Sequence, residues 1–104
     1  MPKTSEQPLT AMKREIRAYL KRNGFDYDMG FYSKSAWRAR GEPFGNEAAW
    51  SMTFEGPLYE ALNYGSYGGY REGGADQFIH ETARKYGYMA EMGYAWSMHF
   101  YEDR

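Results

Sequence analysis

The sequence predicts a single α+β domain over residues 1–104, with helices packed on one face of a small antiparallel sheet of about three strands. Segments with apolar residues at helical spacing alternate with segments in which apolar residues recur at every second position, and the predicted order is α-β-β-α-α-β. The chain has 20 aromatic residues but only 4 Leu, 2 Ile and no Val. Because a net charge of −1 and abundant rings are not typical of disorder, we expect a folded core built from rings, Met and Ala.

The first predicted element is a helix over residues 6–22. Its apolar residues recur at helical spacing, at Leu9, Met12, Ile16, Tyr19 and Leu20. Ser5 is predicted to cap the start of this helix, Pro8 falls in its first turn, and Gly24 is predicted to end it in the left-handed conformation. The opposite face is basic, as is usual for a solvated helix face.

Residues 25–40 are predicted to be extended, because Phe25, Tyr27, Met29 and Phe31 alternate with other residues. A loop is expected next, marked by Gly41, Pro43, Gly45 and Asn46. The clearest strand signal follows over residues 48–54.

This strand signal recurs later in the chain. Residues 49–54 and 95–100 are identical at five of six positions and lie 46 residues apart. Both segments place Trp, Met and Phe on one side at a period of two, so we expect them in one antiparallel sheet. The predicted core face consists of Trp50, Met52, Phe54, Trp96, Met98 and Phe100.

Two further helices are predicted between these strands, over residues 57–63 and 76–86. Pro57 lies in the first turn of the shorter helix, and Gly87 is expected to end the longer one. The predicted buried face of the longer helix consists of Phe78, Ile79, Ala83 and Tyr86.

Several classes of function are disfavoured by the sequence. The absence of cysteine excludes disulfides and a thiol nucleophile, and the absence of a long apolar run predicts a soluble protein, which we expect in a reducing cytoplasm. His80 and His99 share no metal-ligand spacing, and the chain has neither a nucleophile elbow nor a phosphate loop. Glu55, Glu60 and Glu72 form no evident acid/base pair. We therefore expect no enzymatic activity, no metal and no cofactor.

The most unusual segment is residues 63–76, which mix five glycines with three tyrosines. Binding loops have this composition, because Tyr supplies contact area at low entropic cost while Gly, Ser and Asn adapt their hydrogen bonds. The predicted partner-binding residues are Tyr64, Tyr67, Tyr70 and Arg71. The alternative is a flexible linker whose tyrosines lean on the sheet. A dinucleotide-binding loop is disfavoured, because the glycine spacing is wrong and Glu72 and Asp76 would repel phosphate.

Charge is distributed unevenly, with nine basic and four acidic residues in residues 1–41 against four basic and ten acidic residues in residues 42–104. A basic track with interleaved rings is typical of nucleic-acid binding, and a Tyr and a Trp can stack on a nucleotide. The predicted polyanion-binding residues are Lys13, Arg14, Arg17, Lys21, Lys34, Arg38 and Arg40. Against this alternative, nucleic-acid modules are usually strongly basic, whereas the pI here is near 6.1.

Residues 30–65 carry a pattern that resembles a family of small uncharacterised proteins of phages and other mobile elements. The residues of the pattern are Tyr32-Ser33-Lys34, Trp37, Arg40-Gly41-Glu42, Gly45-Asn46, Glu55-Gly56, Leu58-Tyr59 and Leu62-Asn63-Tyr64. The resemblance implies a setting rather than an activity, since small phage proteins are often inhibitors of host defences, the anti-CRISPR proteins among them. The sequence thus predicts a non-catalytic protein that binds a host or defence-system protein, with nucleic-acid or nucleotide binding as the alternative.

Overall fold

The computed structural model describes residues 6–64 and 74–103, which form a four-stranded antiparallel sheet and four helices. The helices are α1 (Pro8–Arg22), α2 (Lys34–Ala39), α3 (Pro57–Tyr64) and α4 (Ala75–Lys85), and the strands are β1 (Met29–Ser33), β2 (Trp50–Phe54), β3 (Tyr88–Met92) and β4 (Ser97–Glu102). The elements follow one another as α1, β1, α2, β2, α3, α4, β3, β4, and the strand order in the sheet is β1-β2-β4-β3. The predicted α+β class is confirmed, and α2 and β3 are additions to the predicted order.

The two similar segments of the sequence lie side by side at the centre of the sheet. β2 and β4 pair antiparallel, with Trp50 opposite Phe100 and Met52 opposite Met98. The rings of Trp50 and Phe100 stack with their centroids 4.0 Å apart. The prediction that both segments belong to one antiparallel sheet is therefore confirmed.

The three predicted helices cover the Trp50 side of the sheet. Their side chains join one buried cluster with the strands, contributed by Met12, Ile16 and Leu20 of α1, Leu58, Ala61 and Leu62 of α3, and Ala75, Ile79 and Ala83 of α4. Helix α1 begins with Gln7 at its N-cap position, while the predicted cap Ser5 lies outside the described residues. Gly24 follows α1 with a φ of +75°, which confirms the predicted left-handed ending.

Polar contacts join α1 to the end of α4. The carboxylate of Glu15 accepts hydrogen bonds from the Tyr86 hydroxyl and, at 3.0 Å, from the Lys85 ammonium. These two contacts hold the pKa of Glu15 below its usual value. Nearby, the rings of Tyr19 and Phe78 stack with their centroids 4.0 Å apart. Rings thus take over much of the helix packing that aliphatic side chains usually provide.

The prediction that residues 25–40 are extended is wrong for its second half, where α2 follows β1 directly. The hydroxyl of Ser33 caps α2 by accepting a hydrogen bond from the Ala36 N–H at 3.2 Å. Only Trp37 of this helix is buried, so the sequence shows no helical periodicity there. Helix α2 also lies on the sheet face opposite to the other helices, because Trp37 packs against His99 with a centroid distance of 4.9 Å.

His99 is the centre of this second buried face. Its imidazole is fully buried and is hydrogen-bonded on both sides, to the Ser51 hydroxyl at 2.8 Å and to the Ser97 hydroxyl at 3.0 Å. Glycines make room for the ring, since a Cβ at Gly45 or Gly93 would lie 2.5 or 2.4 Å from it. Burial lowers the pKa of His99 to about 4, so the ring is neutral at pH 7.

The region around the β3–β4 connection differs from the sequence prediction. Strand β3 was not predicted, because it buries only Ala90 and its sequence therefore shows little period-two alternation of apolar residues. Trp96, predicted on the core face, instead lies in the turn before β4, where it is partly exposed and stacks on Tyr94 with centroids 4.6 Å apart. The Gly93 N–H donates to the Ser97 carbonyl at 3.0 Å, so the chain is reversing at Trp96 and the period-two alternation begins only at Ser97.

The buried imidazole predicts acid sensitivity. Because the pKa of His99 is about 4 in the folded protein and about 6.5 in an unfolded chain, only the unfolded state binds this proton between these pH values. The free energy of unfolding is therefore expected to fall by about 3 kcal/mol as the pH drops from 7 to 4. In His80→Gln, which leaves His99 as the one imidazole, the ring proton signal in NMR spectra should not move between pH 7.5 and 5.5. A titration of that signal near pH 6.5 would contradict the buried neutral ring.

Candidate interaction surface

Arg40, at the C-cap of α2, lies among three rings. Its guanidinium carbon lies 5.1 Å from the ring centroid of Tyr32, 5.0 Å from that of Trp37 and 5.8 Å from that of Trp96. The same guanidinium donates to the Tyr32 hydroxyl at 2.8 Å and to the Glu42 carboxylate at 3.1 Å. Because a guanidinium presents a flat face and an edge of N–H donors, it can stack on rings and pair with a carboxylate at the same time.

The elements around Arg40 explain this arrangement. Tyr32 lies opposite Ser51 in the sheet, so its ring points to the same face as Trp37 and His99. Trp96 is held by its turn, which is tied to α3 because the Asn63 side-chain amide donates to the carbonyl of Ala95 at 2.8 Å. The sheet thus brings α2, the β3–β4 turn and the end of α3 together at the surface.

A cleft of about 300 Å³ lies beside Trp96, lined by Glu55, Tyr59 and Trp96. The ring of Tyr59 is 6.1 Å from that of Tyr64, at the end of α3. Tyr64 is 68% exposed. We use the name aromatic surface for the side chains of Tyr32, Arg40, Tyr59, Tyr64 and Trp96.

Internal contacts hold Arg40 and the turn of Trp96 within the aromatic surface. Arg40 contacts three rings and Glu42, and the hydrogen bond that it donates to the Glu42 carboxylate raises the pKa of the guanidinium. Asn63 fixes the turn that carries Trp96 and also donates to the Tyr59 carbonyl at 3.0 Å. Trp, Tyr and Arg are the residue types enriched at the energetic centres of protein interfaces. The aromatic surface contains all three of these residue types.

The aromatic surface includes one of the four predicted partner-binding residues, Tyr64. The other three, Tyr67, Tyr70 and Arg71, lie outside the described residues, and their role stays a prediction. Sequence reasoning missed Tyr59 and Trp96 as surface residues and named Arg40 only as a basic residue. Helical spacing could have found Tyr59, since Leu58, Ala61 and Leu62 form the buried side of α3. No sequence signal indicated Trp96, because its strand pattern predicted a core position.

The seven predicted polyanion-binding residues do not form a single basic track. Arg17 lies over Phe31 at 4.4 Å and Arg40 over Tyr32 at 5.1 Å, and these two neighbours in β1 point to opposite faces of the sheet. The α1 residues Lys13, Arg14, Arg17 and Lys21 therefore belong to one face, and the α2 residues Lys34, Arg38 and Arg40 follow the other. Three of the seven are ion-paired, as Arg14–Glu6 (2.8 Å), Arg38–Glu47 (3.3 Å) and Arg40–Glu42 (3.1 Å). Polyanion binding stays a prediction, and fewer basic side chains are free of an ion pair than the count of seven indicates.

Within residues 6–64 and 74–103, no group of three His, Asp or Glu side chains is placed to hold a metal ion. No helix in that part of the chain is long and apolar enough to cross a membrane. No protein-family model, curated protein or solved structure matches this chain.

The position of Trp96 can be tested by fluorescence. Trp37 and Trp50 are fully buried, whereas Trp96 is partly exposed in its turn. Acrylamide is expected to quench the native emission in part, and Trp96→Phe should remove the quenchable fraction while leaving the protected fraction. If the emission of Trp96→Phe were quenched as readily as that of the natural chain, the surface position of Trp96 would be wrong.

Proposed function

We propose that this chain is a non-catalytic interaction protein that binds a partner protein through the aromatic surface. The observation that carries the proposal is the packing of an accessible Arg40 against Tyr32 and Trp96 next to the cleft lined by Tyr59 and Trp96. A partner side chain that enters this cleft would contact rings on one side and could hydrogen-bond to Glu55.

The energetics favour such a role. Each large ring can bury about 150–250 Å² of surface, so a few of them supply most of the apolar contact that a small interface needs. Their order before binding lowers the conformational entropy that association must overcome. Both conditions are met around Arg40 and Trp96, which are held by Glu42 and by the Asn63–Ala95 hydrogen bond.

The proposed partner is a host or defence-system protein in the cytoplasm of a bacterium, and the proposed effect is inhibition, as with anti-CRISPR proteins. Support for this setting comes from the resemblance of residues 30–65 to small phage proteins. Four of the five residues of the aromatic surface belong to that resembling pattern, namely Tyr32, Arg40, Tyr59 and Tyr64. The pattern that suggests the setting therefore converges in space on the surface that suggests binding.

The binding surface can be tested by capture of proteins from a host lysate followed by mass spectrometry. Arg40→Ala and Trp96→Ala are expected to reduce retention of the captured protein at least tenfold, since central interface residues contribute about 2 kcal/mol or more. Tyr27→Ala is the matched control, because Tyr27 is 74% exposed and lies outside the aromatic surface. Equal retention by all three variants would contradict the assignment of this surface, provided that each variant shows the thermal unfolding of a folded protein.

Salt dependence and the charge-reversal variant Arg17→Glu separate the proposal from polyanion binding. A polyanion site predicts retention of nucleic acid that falls steeply with added salt and is lost in Arg17→Glu, because released counterions drive such binding. Partner capture through rings predicts weak salt dependence.

The proposed anti-CRISPR setting can be tested by phage infection. Expression of the natural chain should restore plaque formation by a phage on a host whose CRISPR system targets that phage, and expression of Trp96→Ala should not.

A further inference from the structure

One edge of the sheet is open beside a second groove. Strand β1 is the terminal strand, and among residues 6–64 and 74–103 no strand pairs with its outer edge. The Glu55 N–H donates to the Asp28 carbonyl at 3.2 Å, which fixes the hydrogen-bonding phase of the pair. Because pairing alternates along an antiparallel ladder, Gly30 and Tyr32 bond to β2. The backbone N–H and C=O groups of Met29 and Phe31 and the N–H of Ser33 therefore point outward and can pair with another strand, whereas the Ser33 carbonyl belongs to the first turn of α2.

Two of the devices that protect sheet edges, proline and charge, do not occur within strand β1. Natural edge strands carry prolines, inward-pointing charges or bulges that prevent pairing with another chain. The segment Met29–Ser33 contains no proline and no charged residue. By contrast, the opposite edge strand, β3, carries the exposed Glu91 near its middle.

A groove of about 470 Å³ lies between α1 and β1. It is lined by Arg17, Ala18 and Lys21 of α1 and by Asp26, Met29 and Phe31. Met29 and Phe31 are half-buried and pack against the main core, so they form an apolar floor. Arg17 lies over the Phe31 ring at 4.4 Å and thus forms one wall.

The charge of the groove indicates what it would bind. Arg17 and Lys21 are both exposed, and neither forms an ion pair with any residue in the described part of the chain. Asp26 supplies one negative charge, so the lining keeps a net positive charge. An extended segment on β1 would place every second side chain in this groove, where an apolar group meets Phe31 and a carboxylate meets Arg17 or Lys21.

We propose that the groove between α1 and β1 binds an extended acidic segment of a partner protein, which adds to β1 as a fifth strand. Backbone hydrogen bonds to Met29, Phe31 and Ser33 supply affinity. Among the side chains on the groove side of the added strand, which are those of every second residue, the groove selects acidic and apolar ones. The site is independent of the aromatic surface, since Phe31 and Tyr32 point to opposite faces of the sheet. The inference therefore goes beyond the proposed function.

The test uses a labelled peptide, acetyl-Glu-Thr-Val-Thr-Glu-Thr-Val-amide, whose Glu and Val side chains share one side of a strand. With the labelled peptide held at low concentration, fluorescence anisotropy should rise to saturation as the natural chain is added up to about 1 mM. Lys21→Glu and Arg17→Ala are expected to weaken binding at least tenfold, whereas Arg84→Glu, which changes an exposed basic residue in the last turn of α4, should leave it unchanged. Trp96→Ala should also leave it unchanged, which separates this site from the aromatic surface.

Two peptide variants test the mode of binding on the natural chain, so the result does not depend on the folding of any mutant. A peptide with Lys in place of Glu should lose the charge contribution, and a peptide N-methylated at alternate residues should fail to add as a strand. On binding, hydrogen exchange should slow at the amides of Met29, Phe31 and Ser33.

Three results would overturn the proposal. They are the absence of saturable binding, equal binding of the N-methylated peptide, and equal binding of the Lys peptide. Concentration-dependent dimerisation that protects the same three amides without peptide would also overturn it, because the occupant would then be a second copy of this chain.

Discussion

The antiparallel pairing of β2 with β4 is the interaction on which the rest of the structure depends. Both faces of this pair are buried, with Trp50 stacked on Phe100 on one side and His99 held between Ser51 and Ser97 on the other. A sheet that is buried on both sides needs cover on both sides. Helices α1, α3 and α4 provide it over the rings, while α2 and the loop that follows provide it over His99.

A core built from rings brings an energetic cost that an aliphatic core avoids. The indole N–H of Trp50 is buried and, in the described part of the chain, has no hydrogen-bond partner. An unsatisfied buried donor costs about 1–3 kcal/mol, and stacking on Phe100 at 4.0 Å offsets part of this cost. The buried ring of His99 avoids this cost, because both of its nitrogens are hydrogen-bonded. Its burial disfavours only the protonated form, which is why its pKa is low.

The cover of the second face also produces the surfaces that we assign to binding. Arg40, at the C-cap of α2, lies over the ring of Trp37, and the tight turn before β4 places Trp96 beside it. On the other side of β1, α1 covers the ring of Phe31, and no strand of the described residues pairs with the outer edge of β1. The two proposed binding sites thus flank one strand and face opposite directions, so a single large partner or two partners can engage them.

The sequence by itself determined the α+β class, the three helices on the main core and the pairing of the two similar segments through Trp50–Phe54 and residues 97–100, because periodic burial leaves a periodic pattern of residues. It did not reveal α2 or β3, each of which buries a single side chain, Trp37 or Ala90, and so leaves no period. Of the aromatic surface, it anticipated a binding role for Tyr64 and named Arg40 for its charge alone. Only the tertiary structure decided that Arg40 and Trp96, 56 residues apart, lie together, because their proximity depends on the pairing of β1, β2 and β4.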